Sequence, residues 1–385
     1  MTDDYRRGRA AVGRTDCSGP SAAGLQYHAR TFVALDGFRG IAALCVAFGH
    51  GRFLVAGAPT PFFAESYLAV DFFFVLSGFV LEHAYGGALR SGMAPGRFML
   101  LRLIRLYPLY GLALLLSGLL AVVQQVYGPA GAPAPLGDWL SGLLLIPSPA
   151  SPDFLFPLNI PAWSLFFELL ANLAFALAGR WLRTGAVAAI CASSVLLLVM
   201  ANGFGWLGFG GAGGGMNVGV DWASIGGGGV RVTFSFFAGV LLYRLRQQQP
   251  RPVRVPLIVL VAILLAVLAA YPISGYQVEF DLVATLAVFP GLVFLGAHVV
   301  PGKRTSVVLH WLGAVSFGVY VLQMLCLHGG AVGVGDQRWR ALSWHSALGC
   351  HRRRRNAGRH GGRARRLLRP ADPTAPEIGD PVLNA

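Results

Sequence analysis

Residues 33–50 read VALDGFRGIAALCVAFGH, apolar but for Asp36, Arg39 and His50. At a rise of about 1.5 Å per residue, a helix of this length covers most of the roughly 30 Å hydrocarbon core of a bilayer. The apolar residues are continuous rather than alternating, which reads as a membrane helix and not a barrel strand. Comparable runs recur at about 67–84, 103–126, 161–179, 186–202, 230–243, 255–272, 280–300 and 307–328. The run at 230–243 is short. The expected fold is all-α: a polytopic transmembrane helical bundle of about nine to ten spans.

Composition points the same way. Of 385 residues, 55 % are apolar and 12 % charged, about half the roughly 25 % charged content of a soluble domain. Mean hydropathy is +0.59. A soluble fold of this length has too much surface for so few charges. The net charge of +14 and pI near 10.3 would suit nucleic acid, but the distribution argues otherwise. Every basic residue except Lys303 is arginine, and outside the last 57 residues these sit mostly in short loops between apolar runs.

If residues 1–30 are cytoplasmic, the inside loops carry Arg90, Arg97, Arg102 and Arg105; Arg180 and Arg183; Arg244, Arg246, Arg251 and Arg254; Lys303 and Arg304. The outside loops 51–66, 127–160, 203–229 and 273–279 carry Arg52, with Arg231 just past one end. Such asymmetry orients a membrane protein, so the N-terminus is expected in the cytoplasm. The polar start, residues 1–30, reads as a cytoplasmic segment with no cleavable signal peptide. The run Asp138 to Ile146 is too short to cross and reads as re-entrant or interfacial. The glycine runs Gly210–Gly215 and Gly226–Gly229 read as flexible surface connections.

Residues 329–385 break the pattern. They hold eleven arginines against four acids and no apolar span, and nine spans from a cytoplasmic start leave them on the wrong face. Arg, Gly, Ala and Pro are what a GC-rich gene yields out of frame. The tail is therefore read as aberrant and disordered, with a tenth helix lost to a frame change near residue 329. The other account is a cytoplasmic tail and a span count off by one. Cys17, Cys45, Cys191, Cys326 and Cys350 are far apart and make no metal or disulfide pattern; no metal is expected.

Charged groups inside a bilayer cost on the order of 3 kcal/mol or more and mark functional sites. Asp36 and Arg39 are three apart and can pair on one helix face. Arg39 and His50 are eleven apart, which is three turns plus about 20°, so they share a face about 16 Å apart along the axis. The plain alternatives are a snorkelling arginine and an interfacial histidine. Asp71, ahead of three phenylalanines, either pairs with an arginine inside the bundle or sits at the outer interface. Ser77 and Gly78 suit close helix packing. Ser164 and Glu168 share a face, with Glu168 about 10 Å below the helix start. Arg102 and Arg105 are one turn apart, placed either to anchor the inside face or to grip an anionic ligand.

Taken together, Leu35–His50, Val70–Phe79, Arg102–Pro108 and Pro161–Glu168 resemble the acyltransferase-3 family of bacterial membrane O-acyltransferases, with a weaker match at Gly313–Gln323. The resemblance covers about residues 30–328, in the family's order, and marks 31–328 as the membrane acyltransferase domain. It implies a multi-pass enzyme of the bacterial inner membrane. Such an enzyme moves an acyl group, often acetyl, from cytoplasmic acyl-CoA to a hydroxyl of an extracytoplasmic glycan or related acceptor. By position it implies catalytic roles for Arg39, His50 and Glu168, and a coenzyme A site at Arg102 and Arg105. Asp36, Asp71, Ser77, Tyr107, Trp163 and Ser164 lie within the same motifs as substrate-binding or supporting residues. Gln323 departs from the family, standing where many members have histidine.

The chemistry of the residues agrees. Transfer to an alcohol needs a base that works near neutral pH, for which histidine is suited. It also needs charge stabilisation at the thioester carbonyl. On this reading the partners are membrane lipid and a carbohydrate acceptor, with no nucleic acid; the sequence leaves acceptor, chain length and oligomeric state open. A proton-coupled transporter or flippase is the competing class, but no inverted repeat or paired broken helices accompany the buried charges.

Overall fold

A computed structural model describes residues 32–51, 63–127, 136–151, 154–209, 215–248, 255–271 and 275–333. Among them every regular element is helical. The helices are α1 (Val33–Gly51), α2 (Ala69–Leu81), α3 (Gly87–Arg90), α4 (Pro95–Tyr127), α5 (Leu136–Leu143), α6 (Ala162–Ala178), α7 (Thr184–Phe204), α8 (Ile225–Gln248), α9 (Leu257–Ala269), α10 (Gln277–Val283), α11 (Phe289–Gly296) and α12 (Lys303–Gly333). A π turn, Glu82–Gly86, joins α2 to α3, and another, Ala284–Val288, joins α10 to α11.

Among the described residues, seven stretches are long and apolar enough to cross a membrane: Val33–His50, Ser66–Arg90, Pro95–Val123, Thr184–Phe204, Ile225–Gln248, Gln277–Gly296 and Lys303–Leu325. Ala162–Ala178 and Leu257–Ala269 are shorter apolar helices. Each of the nine apolar runs in the sequence thus has its helix. Large apolar side chains such as Leu115, Leu119, Val126, Leu196 and Ile258 lie exposed, as a lipid-facing surface requires.

The helices alternate between two ends. At one, Arg244 reaches Glu82 and the Leu182 carbonyl, and Arg246 reaches the Ala297 carbonyl. This is the basic end. At the other, Tyr67 meets Asp281, Leu155 bonds Val220, and Trp222 bonds the Ser148 carbonyl. Ser148 and Leu155 are thus tied to residues 220–222 rather than lying in loose connections.

Glycines let pairs of helices come close, the small-residue packing expected where lipid cannot drive association. In the parallel pair α1/α12, Gly37 faces Leu309 and Gly40 faces Leu312. In the parallel pair α2/α8, a Cβ on Gly78 would overlap the Phe236 carbonyl, and one on Gly239 the Val75 carbonyl.

Two readings of the sequence change. Gly226–Gly229 belong to α8, so the short run at 230–243 is part of a 24-residue helix. A Cβ at Gly227 would lie 2.7 Å from the Leu207 carbonyl, and one at Gly228 would meet Gly219 at 2.6 Å. These glycines serve contact, not flexibility. Of the other run, only Gly215 lies within the described residues. Arg231, just past the end of the outside loop in the sequence, is fully buried inside α8. The short run at 138–146 is α5, of eight residues, too short to cross. Tyr110 and Tyr107 fasten it to α4 by donating to the Gly142 and Leu143 carbonyls at 2.7 and 2.9 Å. Helix α12 continues through residues 329–333; residues 1–31 and 334–385, including most of the arginine-rich tail, lie outside the described residues.

Candidate active site

A cavity of about 340 Å³ opens among α1, α2, α4, α6 and α12. Its walls are mostly apolar, so its few polar groups are conspicuous. Asp36 and Arg39 come from α1, Ser77 from α2, Arg102 and Arg105 from α4, and Ser164 and Glu168 from α6; α12 adds Ser316 and Tyr320.

Each guanidinium deep in the cavity is fixed in place. Arg39 donates from Nε to Ser316 Oγ and from Nη2 to the Gly313 carbonyl, both at 2.9 Å. Its Nη2 is also 3.4 Å from Asp36. Gly313 is glycine because a Cβ there would press on Asp36 at 2.7 Å. Arg102 donates from Nη2 to Glu168 Oε1 at 2.8 Å, and Ser77 Oγ donates to the same oxygen at 3.0 Å. Three helices therefore meet at one carboxylate oxygen. Arg105, one turn beyond Arg102, lines the cavity and is exposed, with no ion pair to any described residue. At the mouth, His310 Nδ1 stands 3.8 Å from Asp36 Oδ2.

Towards the other end, Ser164 Oγ donates to the Pro161 carbonyl at 2.9 Å and lies 2.8 Å from the Tyr320 hydroxyl. The Tyr320 ring packs edge-on against Phe73, centroids 5.6 Å apart.

Of the residues singled out in the sequence, seven line this cavity: Asp36, Arg39, Ser77, Arg102, Arg105, Ser164 and Glu168. Four do not. His50 lies near the far end of α1. Tyr107 anchors α5. Trp163 is buried with the Arg231 guanidinium 5.8 Å from its ring centroid. Asp71 forms a fully buried pair with Arg231, whose Nε lies 2.8 Å from both carboxylate oxygens and whose Nη2 lies 2.7 Å from Oδ2. Of the two placements open to Asp71, the structure takes the arginine inside the bundle. Glu168 is paired with Arg102 and Ser77, so its spacing to Ser164 revealed its face but not its partner.

The sequence reading gave no role to Arg231, Ser316 or Tyr320. For Ser316 and Tyr320 a signal existed: Gly313, Ser316 and Tyr320 recur at helical spacing. For Arg231 the glycine run hid it. Among the described residues no group of three or more His, Cys, Asp or Glu could hold a metal.

The family model described as Acyltransferase domain, that of the acyltransferase-3 family, matches residues 32–348. That range runs past residue 329, where the sequence reading begins the tail. A relative described as "Protein 2 in picA locus", from Rhizobium radiobacter, is 40 % identical over 194 residues, covering 45 % of this chain and 96 % of the relative. No solved structure matches the chain. Among the described residues, seven apolar helices long enough to cross a membrane, together with a match over most of the chain, lead to one assignment: the chain belongs to the acyltransferase-3 family and is a multi-pass membrane O-acyltransferase.

Proposed function

We propose that the protein transfers an acyl group, most simply acetyl, from cytoplasmic acyl-CoA to a hydroxyl of an extracytoplasmic glycan. In this reading it sits in the bacterial inner membrane with its basic end in the cytoplasm, as the arginine asymmetry favours. The observation that carries the reading is one cavity with arginines towards the basic end and the Ser164 and Tyr320 hydroxyls towards the other. Two substrates entering from opposite faces can meet in it.

At about 340 Å³, the cavity is at the small end of ligand sites. It has room for an acyl-pantetheine arm, with the nucleotide left outside at the mouth. Arg105, without an acidic partner among the described residues, suits its phosphates. Arg39 and Arg102 are held rigidly, Arg39 by Ser316 and Gly313, Arg102 by Glu168. Fixed cations along an apolar cavity hold the donor so that its acyl end is presented towards the level of His50. His50, about 16 Å beyond Arg39 along α1, takes the acceptor's proton as the new C–O bond forms. The C–S bond then breaks, and coenzyme A leaves as a thiolate that takes up a proton.

The test is labelled acetyl-CoA added to inside-out membrane vesicles containing the protein. The expected result is label in the glycan fraction, lowered at least 100-fold by His50→Ala at equal membrane content, the scale of a lost general base. Full transfer by that variant would remove His50 from the mechanism. Absence of transfer by the wild type would remove the reading itself.

A further inference from the structure

Resting on that reading, we infer that the Tyr320 hydroxyl is the group that receives the acceptor, by taking a hydrogen bond from one of its hydroxyls. The argument is one of proton direction. Serine has a single hydroxyl proton, and that of Ser164 is committed to the Pro161 carbonyl at 2.9 Å. In the 2.8 Å contact between Ser164 and Tyr320, the donor is then Tyr320. Its own proton is used, and what it offers the cavity is a lone pair. A thioester carbonyl can only accept, so it has nothing to give this oxygen. An alcohol can donate to it.

Depth supports the same assignment. Gly37 faces Leu309 and Gly40 faces Leu312 across the parallel pair α1/α12. Carried along both helices, these contacts and that of Gly313 with Asp36 put Tyr320 level with residues 43–48, about 3–11 Å from the level of His50. The phenol is thus on the His50 side of Arg39, the side from which the acceptor enters. The Phe73 ring holds it there from the side.

The test uses full-length protein in lipid nanodiscs and two probes, methyl α-D-glucopyranoside and its fully O-methylated ether, with binding read by saturation-transfer NMR. The wild type is expected to bind the glucoside and not the ether. Tyr320→Phe removes one oxygen and keeps the ring against Phe73; it is expected to weaken glucoside binding about tenfold, the scale of one hydrogen bond. In the transfer assay it should raise the acceptor KM and leave the acyl-CoA KM unchanged. Equal glucoside binding by wild type and Tyr320→Phe, equal binding of glucoside and ether, or no binding by wild type would each overturn the inference. Glucoside binding lost in Tyr320→Phe, with no acyl transfer by wild type, would retain the hydroxyl site and reject the acyltransferase reading.

Discussion

Asp71→Ala is expected to destabilise the protein by about 3–5 kcal/mol, the cost of stripping one partner from a buried ion pair. Asp71 and Arg231 have no exposed side-chain surface. Without the carboxylate, Arg231 keeps the Tyr67 carbonyl at 2.8 Å and the Val218 carbonyl at 3.3 Å, but its charge is uncompensated. Ser235 would also lose its acceptor at 3.2 Å. The readout is the unfolding temperature in detergent, or the yield of inserted protein. Replacing both partners, Asp71→Leu with Arg231→Met, should recover much of the loss, because no orphaned charge remains. A double variant whose loss equals the sum of the single ones would mean that the pair is not coupled.

Glu168→Ala is expected to lower kcat about 100-fold, the scale of a donor misplaced by about 1 Å. The carboxylate does not merely neutralise Arg102. It fixes where that guanidinium points and joins α4 to α2 through Ser77. Freed of it, Arg102 has other orientations open to it and loses its aim. Glu168→Ala and Arg102→Ala should therefore be strongly non-additive, the double variant being little worse than either alone. Independent, multiplying losses in initial-rate measurements would contradict a shared role.

Much of this was legible because charge is scarce in the apolar runs. Arg39, Glu168 and Asp71 stood out against leucine and phenylalanine, and helical spacing fixed their faces. Partners were less legible, since pairing depends on which helices are neighbours. Glu168 meets Arg102 across 66 residues of chain, and Asp71 meets Arg231 across 160. Glycine misled for a physical reason. In water a glycine run loosens a chain; between membrane helices the same run permits contact, and Gly226–Gly229 do the second. Glu82 was overlooked in its π turn, where Arg90 and Arg244 close on one carboxylate at 2.6 and 2.8 Å. Nothing in its local sequence announces two partners.

The central claim is that the Arg39–Arg102–Glu168 cavity is where the acyl group passes. The most direct measurement is photo-crosslinking with an acyl-CoA analogue carrying a diazirine on its acyl chain, the attachment sites being mapped by mass spectrometry. Labelling is predicted on cavity residues of α1, α2 and α12, such as Ala43, Phe73 and Phe317, and unmodified acetyl-CoA should compete it away. Competable labelling confined to residues outside this cavity would contradict the account.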